Sequence, residues 1–278
     1  MGTKAKYIKR IEITGLWGRQ NIAWDLRPDV NILSGINGIG KSAILNTATR
    51  VLAALSGEKD TKEQTSGVKI IFDSDEADSI SFDVIHSFDS PLLQADVLEK
   101  LADRNVKTEL DWQLYKLQRK YLDYQVNIGN RIIELLSDNT PESKEQASQI
   151  AAPKRLFQDL IDKLLKETDK KIDRKTNEIQ FISGDETLLP YKLSSGEKQM
   201  LVILLTVLVQ DNQYCVLFMD EPEVSLHIEW QQKLIGMIRQ LNPNVQIILT
   251  THSPAVIMEG WLDTVTEVSD ISSGISKS

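Results

Sequence analysis

The sequence predicts an α/β fold with a parallel sheet flanked by helices, and three observations lead to this prediction. A glycine-rich segment, residues 35–42, stands between an apolar strand and a helical pattern. The last third of the chain alternates helices with apolar strands, the order that places helices on the faces of a parallel sheet. One of these strands, residues 215–219, ends in two carboxylates, Asp220 and Glu221.

The first part of the chain is predicted to be rich in strands. Strands are expected where polar and β-favouring residues alternate, or where a short apolar run occurs, at residues 7–14, 21–26, 30–34, 69–72 and 79–86. The last two of these are expected to pair antiparallel. A helix is expected over residues 42–55, where apolar residues recur on one face.

After residue 90 the pattern becomes helical and is rich in Leu, Ile, Lys, Glu and Gln. We expect two long helices, residues 109–136 and 142–174, broken at the segment Asn139-Thr140-Pro141-Glu142. The predicted domains are an N-terminal lobe (1–90), an inserted helical arm (91–177) and a C-terminal lobe (178–278). Within the C-terminal lobe, the expected helices and strands are residues 178–183, 195–209, 215–219, 228–240 and 246–250.

The composition is that of an ordinary soluble globular protein, with 41% hydrophobic and 26% charged residues. A net charge of −8 argues against binding nucleic acid through the whole surface, although a local basic patch stays open. The single cysteine, Cys215, cannot form an internal disulfide, and three histidines without a Cys/His cluster offer no zinc site. Without a signal or a membrane-spanning run, we expect a cytoplasmic protein that has no membrane contact.

The glycine-rich segment fits the pattern G-x-x-x-x-G-K-[ST] between a strand and a helix. Glycines let backbone amides surround phosphates, and the helix N-terminus adds its positive dipole end. Lys41 is expected to reach the β- and γ-phosphates and to act in catalysis, and Ser42 to bind Mg²⁺. The nucleotide-binding residues expected here are Asn37, Gly38, Ile39, Gly40, Lys41 and Ser42.

The acidic pair follows the apolar strand directly. Asp220 is expected to hold Mg²⁺, usually through water, and Glu221 to act as the general base on the attacking water. Taken alone, the pair could also be the solvated end of an ordinary strand.

Two further segments stand at the start of a helix and at the end of a strand. In Leu193-Ser194-Ser195-Gly196-Glu197-Lys198-Gln199, a serine cap, a glycine and a first-turn acid are typical of any helix N-terminus. The same exposed helix start could bind the γ-phosphate of ATP held by another subunit. In Thr250-Thr251-His252-Ser253-Pro254, His252 could hydrogen-bond a γ-phosphate oxygen, although a lone histidine is more often structural.

Taken in this order, the four motifs resemble those of the ABC-type ATPase superfamily. Residues 35–42 match its Walker A motif, 193–199 its signature and 219–221 the end of its Walker B motif, and His252 falls on its switch histidine. The resemblance implies an ABC-type P-loop ATPase with a mixed sheet, an antiparallel β lobe and an inserted helical arm. It also implies that ATP and Mg²⁺ are bound and that Glu221, His252 and Lys41 are catalytic. Two copies would clamp the nucleotide, with Ser194 and Gly196 facing the γ-phosphate bound by the other copy, and Glu197 is also expected among the nucleotide-binding residues.

Details of the motifs place the resemblance within the RecF/OLD/SMC-like group. Glu221-Pro222-Glu223, the SSGEKQ signature and THSP are similar to ATPases of DNA repair and of bacterial antiphage-defence or retron-type operons. This resemblance implies a separate effector of the nuclease or Toprim type, because the chain itself shows no nuclease motif. The superfamily's magnesium-contacting glutamine has no clear counterpart, and Asp89 or Gln94 could take its place.

Three functions therefore stay open: a nucleotide-dependent clamp, a regulatory scaffold with slow turnover, and the ATPase subunit of a transporter. The signature and the arm count against the transporter. In the arm, the basic residues of 163–175 alternate with acids and are expected to form i,i+4 or i,i+3 pairs, with nucleic-acid contact open as an alternative. The apolar residues of 112–124 are expected to seal a helical hairpin, with some contact to a partner protein.

Overall fold

The structure, a computed structural model, describes residues 3–55, 67–86 and 105–274. The strands are β1 (Thr3–Lys4), β2 (Ile8–Leu16), β3 (Gln20–Asp25), β4 (Val30–Ser34), β5 (Val68–Phe72), β6 (Ala77–Ser79), β7 (Phe82–His86), β8 (Lys171–Ile172), β9 (Phe181–Ser183), β10 (Glu186–Leu188), β11 (Cys215–Asp220), β12 (Val245–Thr250), β13 (Val265–Glu267) and β14 (Ser272–Gly274). The helices are α1 (Lys41–Leu55), α2 (Glu109–Ser137), α3 (Pro141–Leu164), α4 (Ser195–Val209), α5 (Ile228–Leu241), α6 (Pro254–Met258) and α7 (Val268–Ile271). Single 3₁₀ turns lie at Lys166–Thr168, Pro190–Lys192 and Leu262–Thr264.

A five-stranded parallel sheet, in the order β13-β4-β12-β11-β7, forms the centre of the fold. Both of its faces are covered, as parallel sheets require. One face packs in a hydrophobic cluster with α2, α3, α4 and α5, and the other packs with α1, β2 and β3. Strands β11 and β12 are therefore buried along nearly their whole length. The mixed α/β fold predicted from the sequence is confirmed.

A second sheet is antiparallel and has the order β14-β3-β2-β5. It confirms the predicted antiparallel lobe, but the predicted pairing of residues 69–72 with 79–86 is wrong. Strand β5 pairs with β2, whereas β7 joins the parallel sheet beside β11. The reason lies in β7 itself, where Ile85 contacts one hydrophobic cluster and Phe82 and Val84 contact the other. A strand with apolar contacts on both faces suits a sheet that is covered on both faces.

The inserted segment forms two long helices, α2 and α3, joined by a short turn at Asp138–Thr140. The first begins at Glu109 as expected, but the second ends at Leu164 and not at 174. The chain turns there because Lys171 and Ile172 form β8, which pairs with β9 in a small three-stranded sheet. The domain limits at 90/91 and 177/178 stay a prediction.

The arm is not a free-standing hairpin over its whole length. One face of α2, from Leu110 to Ile128, is buried in the same hydrophobic cluster as α4 and α5. Tyr121 and Phe157, from the two helices of the arm, are among the largest fully buried side chains of the protein. The first part of the arm therefore belongs to the hydrophobic core. The expectation that its apolar residues mainly seal a separate hairpin is wrong, because many of them pack against α4 and α5.

Candidate functional site

The glycine-rich loop joins the end of β4 to the start of α1 at the carboxyl edge of the parallel sheet. Gly38 and Gly40 have φ angles of 79° and 116°, which only glycine adopts without strain. The amide of Ile44 donates to the Gly40 carbonyl at 2.9 Å, so the helix is formed directly after the loop. The free amides of its first turn and of the loop are a suitable site for a phosphate group.

The Lys41 side chain lies across this loop. Its Nζ donates to the Gly35 carbonyl at 3.0 Å and lies 2.6 Å from Nε2 of His252. The predicted phosphate lysine and the predicted switch histidine are therefore brought together, although they stand far apart in the sequence. The contact exists because β4 and β12 are neighbours in the sheet and both loops leave it at the same edge.

Ser42 and Asp220, the two predicted magnesium ligands, are in direct contact. Ser42 Oγ donates to Asp220 Oδ1 at 3.0 Å, and Thr250 Oγ1 donates to the same oxygen at 2.5 Å. A hydroxyl and a carboxylate are hard oxygen ligands of the kind that Mg²⁺ prefers, with substrate phosphates and water as the remaining ligands. The residues present therefore fit a magnesium ion. Among the described residues, no group of three or more His, Cys, Asp or Glu side chains offers a metal site made by protein alone.

Glu221 follows Asp220 in a left-handed backbone conformation, with φ of 48°. This conformation is unfavourable for a non-glycine residue and persists only where surrounding contacts impose it. Here the Glu221 amide donates to the carbonyl and to Oγ1 of Thr250, at 3.1 and 3.0 Å. Its carboxylate then lies 3.0 Å from Nε2 of His252. The two predicted catalytic groups thus meet beside Lys41.

Glu223 holds the histidine loop in place, a role that the sequence did not reveal. Its Oε1 accepts hydrogen bonds from Thr251 Oγ1 at 2.5 Å and from the amides of His252 and Ser253 at 2.9 and 3.3 Å. The residue is buried, with 8% of its surface exposed. The second glutamate of Glu221-Pro222-Glu223 is therefore structural and positions His252.

The P-loop, Glu221 and His252 line a cavity of about 370 Å³, and one more residue joins them: Trp17. Trp17 lies in the turn between β2 and β3, with φ of 53° and 56% of its surface exposed. A Cβ atom added to Gly40 would stand 3.1 Å from its ring, so Gly40 is required for this approach too. Trp17 was not among the residues predicted from the sequence; the available signal was a tryptophan between two glycines in a predicted turn.

The signature segment stands at the N-terminus of α4. Ser194 is the N-cap, with Ser194 Oγ accepting from the Glu197 amide and Glu197 Oε2 accepting from the Ser194 amide at 2.9 Å. Gly196 is buried. A side chain does not fit at this position, because a Cβ atom there would lie 2.4 Å from the Ser225 carbonyl oxygen. None of these three residues lines the cavity of the same chain. The structure therefore does not bring the predicted signature residues together with the P-loop of their own subunit.

The Glu197 side chain points inward and is hydrogen-bonded to residues of the arm. Lys170 Nζ donates to its two carboxylate oxygens at 2.8 and 3.0 Å, and Thr168 Oγ1 donates at 2.9 Å. Burial alone would raise the pKa of this carboxyl, but the hydrogen bonds from Lys170, Ser194 and Thr168 outweigh it and hold the pKa below the usual value. The expectation of i,i+4 pairing on the arm surface is therefore wrong for Lys170.

The next residue, Lys198, anchors the other end of the arm. Its Nζ lies 2.8 Å from Asp111 Oδ1, and only 9% and 4% of the two side chains are exposed. Asp111 also closes the N-terminus of α2 by accepting from the amides of Lys107 and Thr108 at 3.1 Å. Two consecutive residues of the signature helix therefore make buried ion pairs with the two ends of the arm.

Asp89 and Gln94, named as counterparts of the superfamily's glutamine, lie outside the described residues. No helix in the described part of the chain is long and apolar enough to cross a membrane.

Comparisons with known proteins find a matching family model and related sequences and structures. A family model described as "AAA domain, putative AbiEii toxin, Type IV TA system" matches residues 84–259. The "Retron Vc95 probable ATPase" of Vibrio cholerae serotype O1 biovar El Tor is 27% identical over 57% of this chain, which spans 32% of that protein. The "Septu protein PtuA" of Bacillus thuringiensis is 24% identical over 90% of this chain and 72% of its own length.

Among solved structures, the chain is similar to the SmcHead bound to the C-winged helix domain of ScpA. The TM-score is 0.55 at 14% identity, covering 97% of each chain. An Smc head domain derived from Pyrococcus furiosus gives a TM-score of 0.52 at 12% identity, covering 97% of this chain and 96% of that one. At these identities the similarity shows the fold alone, which is that of an Smc head domain.

Replacing Lys198 by Met should destabilise the protein. The change leaves the Asp111 carboxylate buried without its cation, and we expect a loss of about 3 kcal/mol in the free energy of unfolding. Urea denaturation measures it. Lys192→Met, at an exposed position just before α4, is the matched control and should stay within about 0.5 kcal/mol of the original protein. Equal stability of the two variants would show that the ion pair does not anchor the arm.

Proposed function

Because this chain belongs to the AAA domain family whose model spans residues 84–259, we propose that it is an ATPase whose ATP-bound form is a head-to-tail dimer. The main support is the meeting of two groups at one sheet edge: Lys41 and Glu221 lie within hydrogen-bonding distance of His252, and Ser42 lies within hydrogen-bonding distance of Asp220. ATP is the proposed substrate and Mg²⁺ the proposed cofactor.

The proposed roles follow from the positions of the groups. The loop amides and Lys41 bind the phosphates, so that Lys41 exchanges its contacts with His252 and the Gly35 carbonyl for phosphate oxygens. Ser42 and Asp220 hold Mg²⁺, which when bound neutralises charge on the phosphates. Glu221 orients a water and takes its proton as the water attacks the γ-phosphorus, which leaves ADP and phosphate. Before this reaction, His252 lies beside the γ-phosphate of the bound ATP.

The signature residues enter the proposed site from a second copy. Ser194 is exposed at the start of α4 and does not line the cavity of its own chain. Large apolar side chains are also exposed, with Ile36 of the P-loop 75% exposed and Ile228, at the start of α5, 65% exposed. Such exposure suits a surface that another molecule covers. In this arrangement Ser194 contacts the γ-phosphate, while Gly196 and Glu197 support the helix start from within.

A role in bacterial defence beside a separate effector protein, of the nuclease or Toprim type, is part of the same proposal. It is supported by the similarity to the retron ATPase and to the Septu protein. The buried ion pairs between the signature helix and the arm favour a regulated switch, since a partner that displaces the arm would displace Ser194. Contact between the arm and nucleic acid stays a prediction.

The Glu221→Gln variant tests the dimer. Without the general base, ATP should stay bound, and the mass measured by light scattering should roughly double when ATP and Mg²⁺ are added. The nucleotide-free sample gives the baseline. The double variant Lys41→Ala, Glu221→Gln is the control and should keep the nucleotide-free mass. A Glu221→Gln mass that ATP does not change would contradict the nucleotide-dependent dimer.

We propose that Trp17, which lines the P-loop cavity, stacks on the adenine base. Base–aromatic stacking contributes about 1–3 kcal/mol, so Trp17→Ala should raise the Kd for ATP roughly tenfold, whereas Trp17→Phe should retain most of the affinity. Calorimetric titration of the Glu221→Gln protein measures both. Inorganic tripolyphosphate, which lacks the base, should bind the Trp17→Ala variant as before. An unchanged Kd for ATP would rule out the stacking role.

A further inference from the structure

Thr250 is the last residue of β12, and its hydroxyl contacts both residues of the acidic pair, Asp220 and Glu221. The register of the parallel sheet places Thr250 directly beside Asp220. The residue is fully buried, with 0% of its surface exposed. Buried hydroxyl groups find their hydrogen-bond partners within the protein, and here both partners belong to the candidate site.

The chemistry of these partners fixes the hydrogen-bonding role of the hydroxyl. An ionised carboxylate only accepts hydrogen bonds, so Thr250 donates its single hydroxyl proton to Asp220 Oδ1, at 2.5 Å. A backbone amide only donates, so the Glu221 amide donates to a lone pair of Thr250 Oγ1, at 3.0 Å. One hydroxyl therefore links the carboxylate proposed to hold Mg²⁺ to the backbone of the proposed general base.

The first of these bonds restricts the orientation of the Asp220 carboxylate. Ser42 Oγ donates to the same oxygen at 3.0 Å, so Oδ1 is held by hydroxyls from two different segments. Ser42 is itself a proposed magnesium ligand, whereas Thr250 is not. The Thr250 hydroxyl is therefore the one of the two that is free to orient the carboxylate in the presence of the metal as well. Hydrogen bonds of this kind to ligand carboxylates typically strengthen metal binding.

The second bond acts on the backbone of Glu221, whose φ of 48° lies in the left-handed region. The Glu221 amide is shared between two acceptors of the same residue, the Thr250 carbonyl at 3.1 Å and the Thr250 hydroxyl at 3.0 Å. An unfavourable backbone conformation persists only where surrounding contacts impose it. Without the hydroxyl, the carbonyl alone of these two acceptors would remain, and the direction of the Glu221 side chain would be less restricted.

We propose that Thr250 is a positioning residue for the acidic pair, which orients Asp220 for Mg²⁺ and Glu221 for the attacking water. This inference rests on the proposed ATPase function and assigns a role in it to a residue that does not line the P-loop cavity. Threonine suits the role because its branched Cβ restricts the rotation of the hydroxyl about χ1. Valine has the same shape without the hydroxyl, and serine has the hydroxyl without the branch.

Calorimetric titration with ATP, once in Mg²⁺ and once in EDTA, tests the role toward the metal. Every protein in this series carries Glu221→Gln, which prevents hydrolysis and retains the backbone amide of residue 221. The ratio of the two Kd values gives the enhancement of ATP binding by Mg²⁺. Thr250→Val should lower this enhancement about tenfold, the usual effect of removing a hydrogen bond to a metal ligand. Thr250→Ser should retain most of it.

Thr264→Val is the matched control for the loss of a buried hydroxyl. Thr264 is 6% exposed and its Oγ1 donates to the Trp261 carbonyl at 2.7 Å, away from the acidic pair. This variant should keep the full enhancement. An unreduced enhancement in Thr250→Val, or an equal reduction in Thr264→Val, would overturn the role of Thr250 alone. No enhancement in the Glu221→Gln protein itself would overturn the proposed magnesium site too, since no metal would be there to position.

The pair Thr250→Ser and Thr250→Ala differs in the hydroxyl alone and repeats the titration without depending on the folding of Thr250→Val. In the protein that retains Glu221, the same pair tests the role toward the general base. At saturating ATP and Mg²⁺, kcat of Thr250→Ala should be about tenfold below that of Thr250→Ser, because a misoriented base is a less effective one. Equal kcat values for the two variants would contradict the role toward Glu221.

Discussion

The parallel register of β4, β12 and β11 is the constraint on which the candidate site depends. It places Leu33 beside Thr250 and Thr250 beside Asp220, so three segments that are distant in sequence leave the sheet at one edge. Alternate residues of these strands belong to two different hydrophobic clusters, one on each face of the sheet. A slip of one residue would exchange the two faces, and the packing of both clusters opposes it. The contacts between Lys41 and His252 follow from this register.

The first turn of α4 adds a second constraint, because it combines local and long-range contacts in four residues. Ser194 caps the helix, Gly196 lets it approach the Ser225 carbonyl, and Glu197 and Lys198 bind the two ends of the arm. Ser225 belongs to the loop that follows Glu221. The arm, the first turn of α4 and the loop that follows Glu221 are therefore in direct contact, which gives a physical route from the arm to the candidate site.

The sequence predicted what depends on local pattern and missed what depends on distant contacts. Residues 35–42 and the pair Asp220 and Glu221 could be recognised because each motif is contiguous and lies between elements of clear periodicity. The inward orientation of Glu197 could not be recognised from the sequence, since its partner Lys170 comes from a segment predicted to be a surface helix. The placement of β7 failed for a similar reason: alternation shows that a segment is a strand but not which strand it pairs with.

We propose that one catalytic site is built from two chains, and mixing two inactive variants tests this most directly. Lys41→Ala removes the phosphate lysine, and Ser194→Arg blocks the exposed signature cap. If the site is shared, half of the dimers in an equimolar mixture are mixed and each contains one intact site. ATP hydrolysis should then return to about a quarter of the original rate, because the dimer is symmetric. No activity in the mixture beyond that of the separate variants would contradict a site shared between two copies.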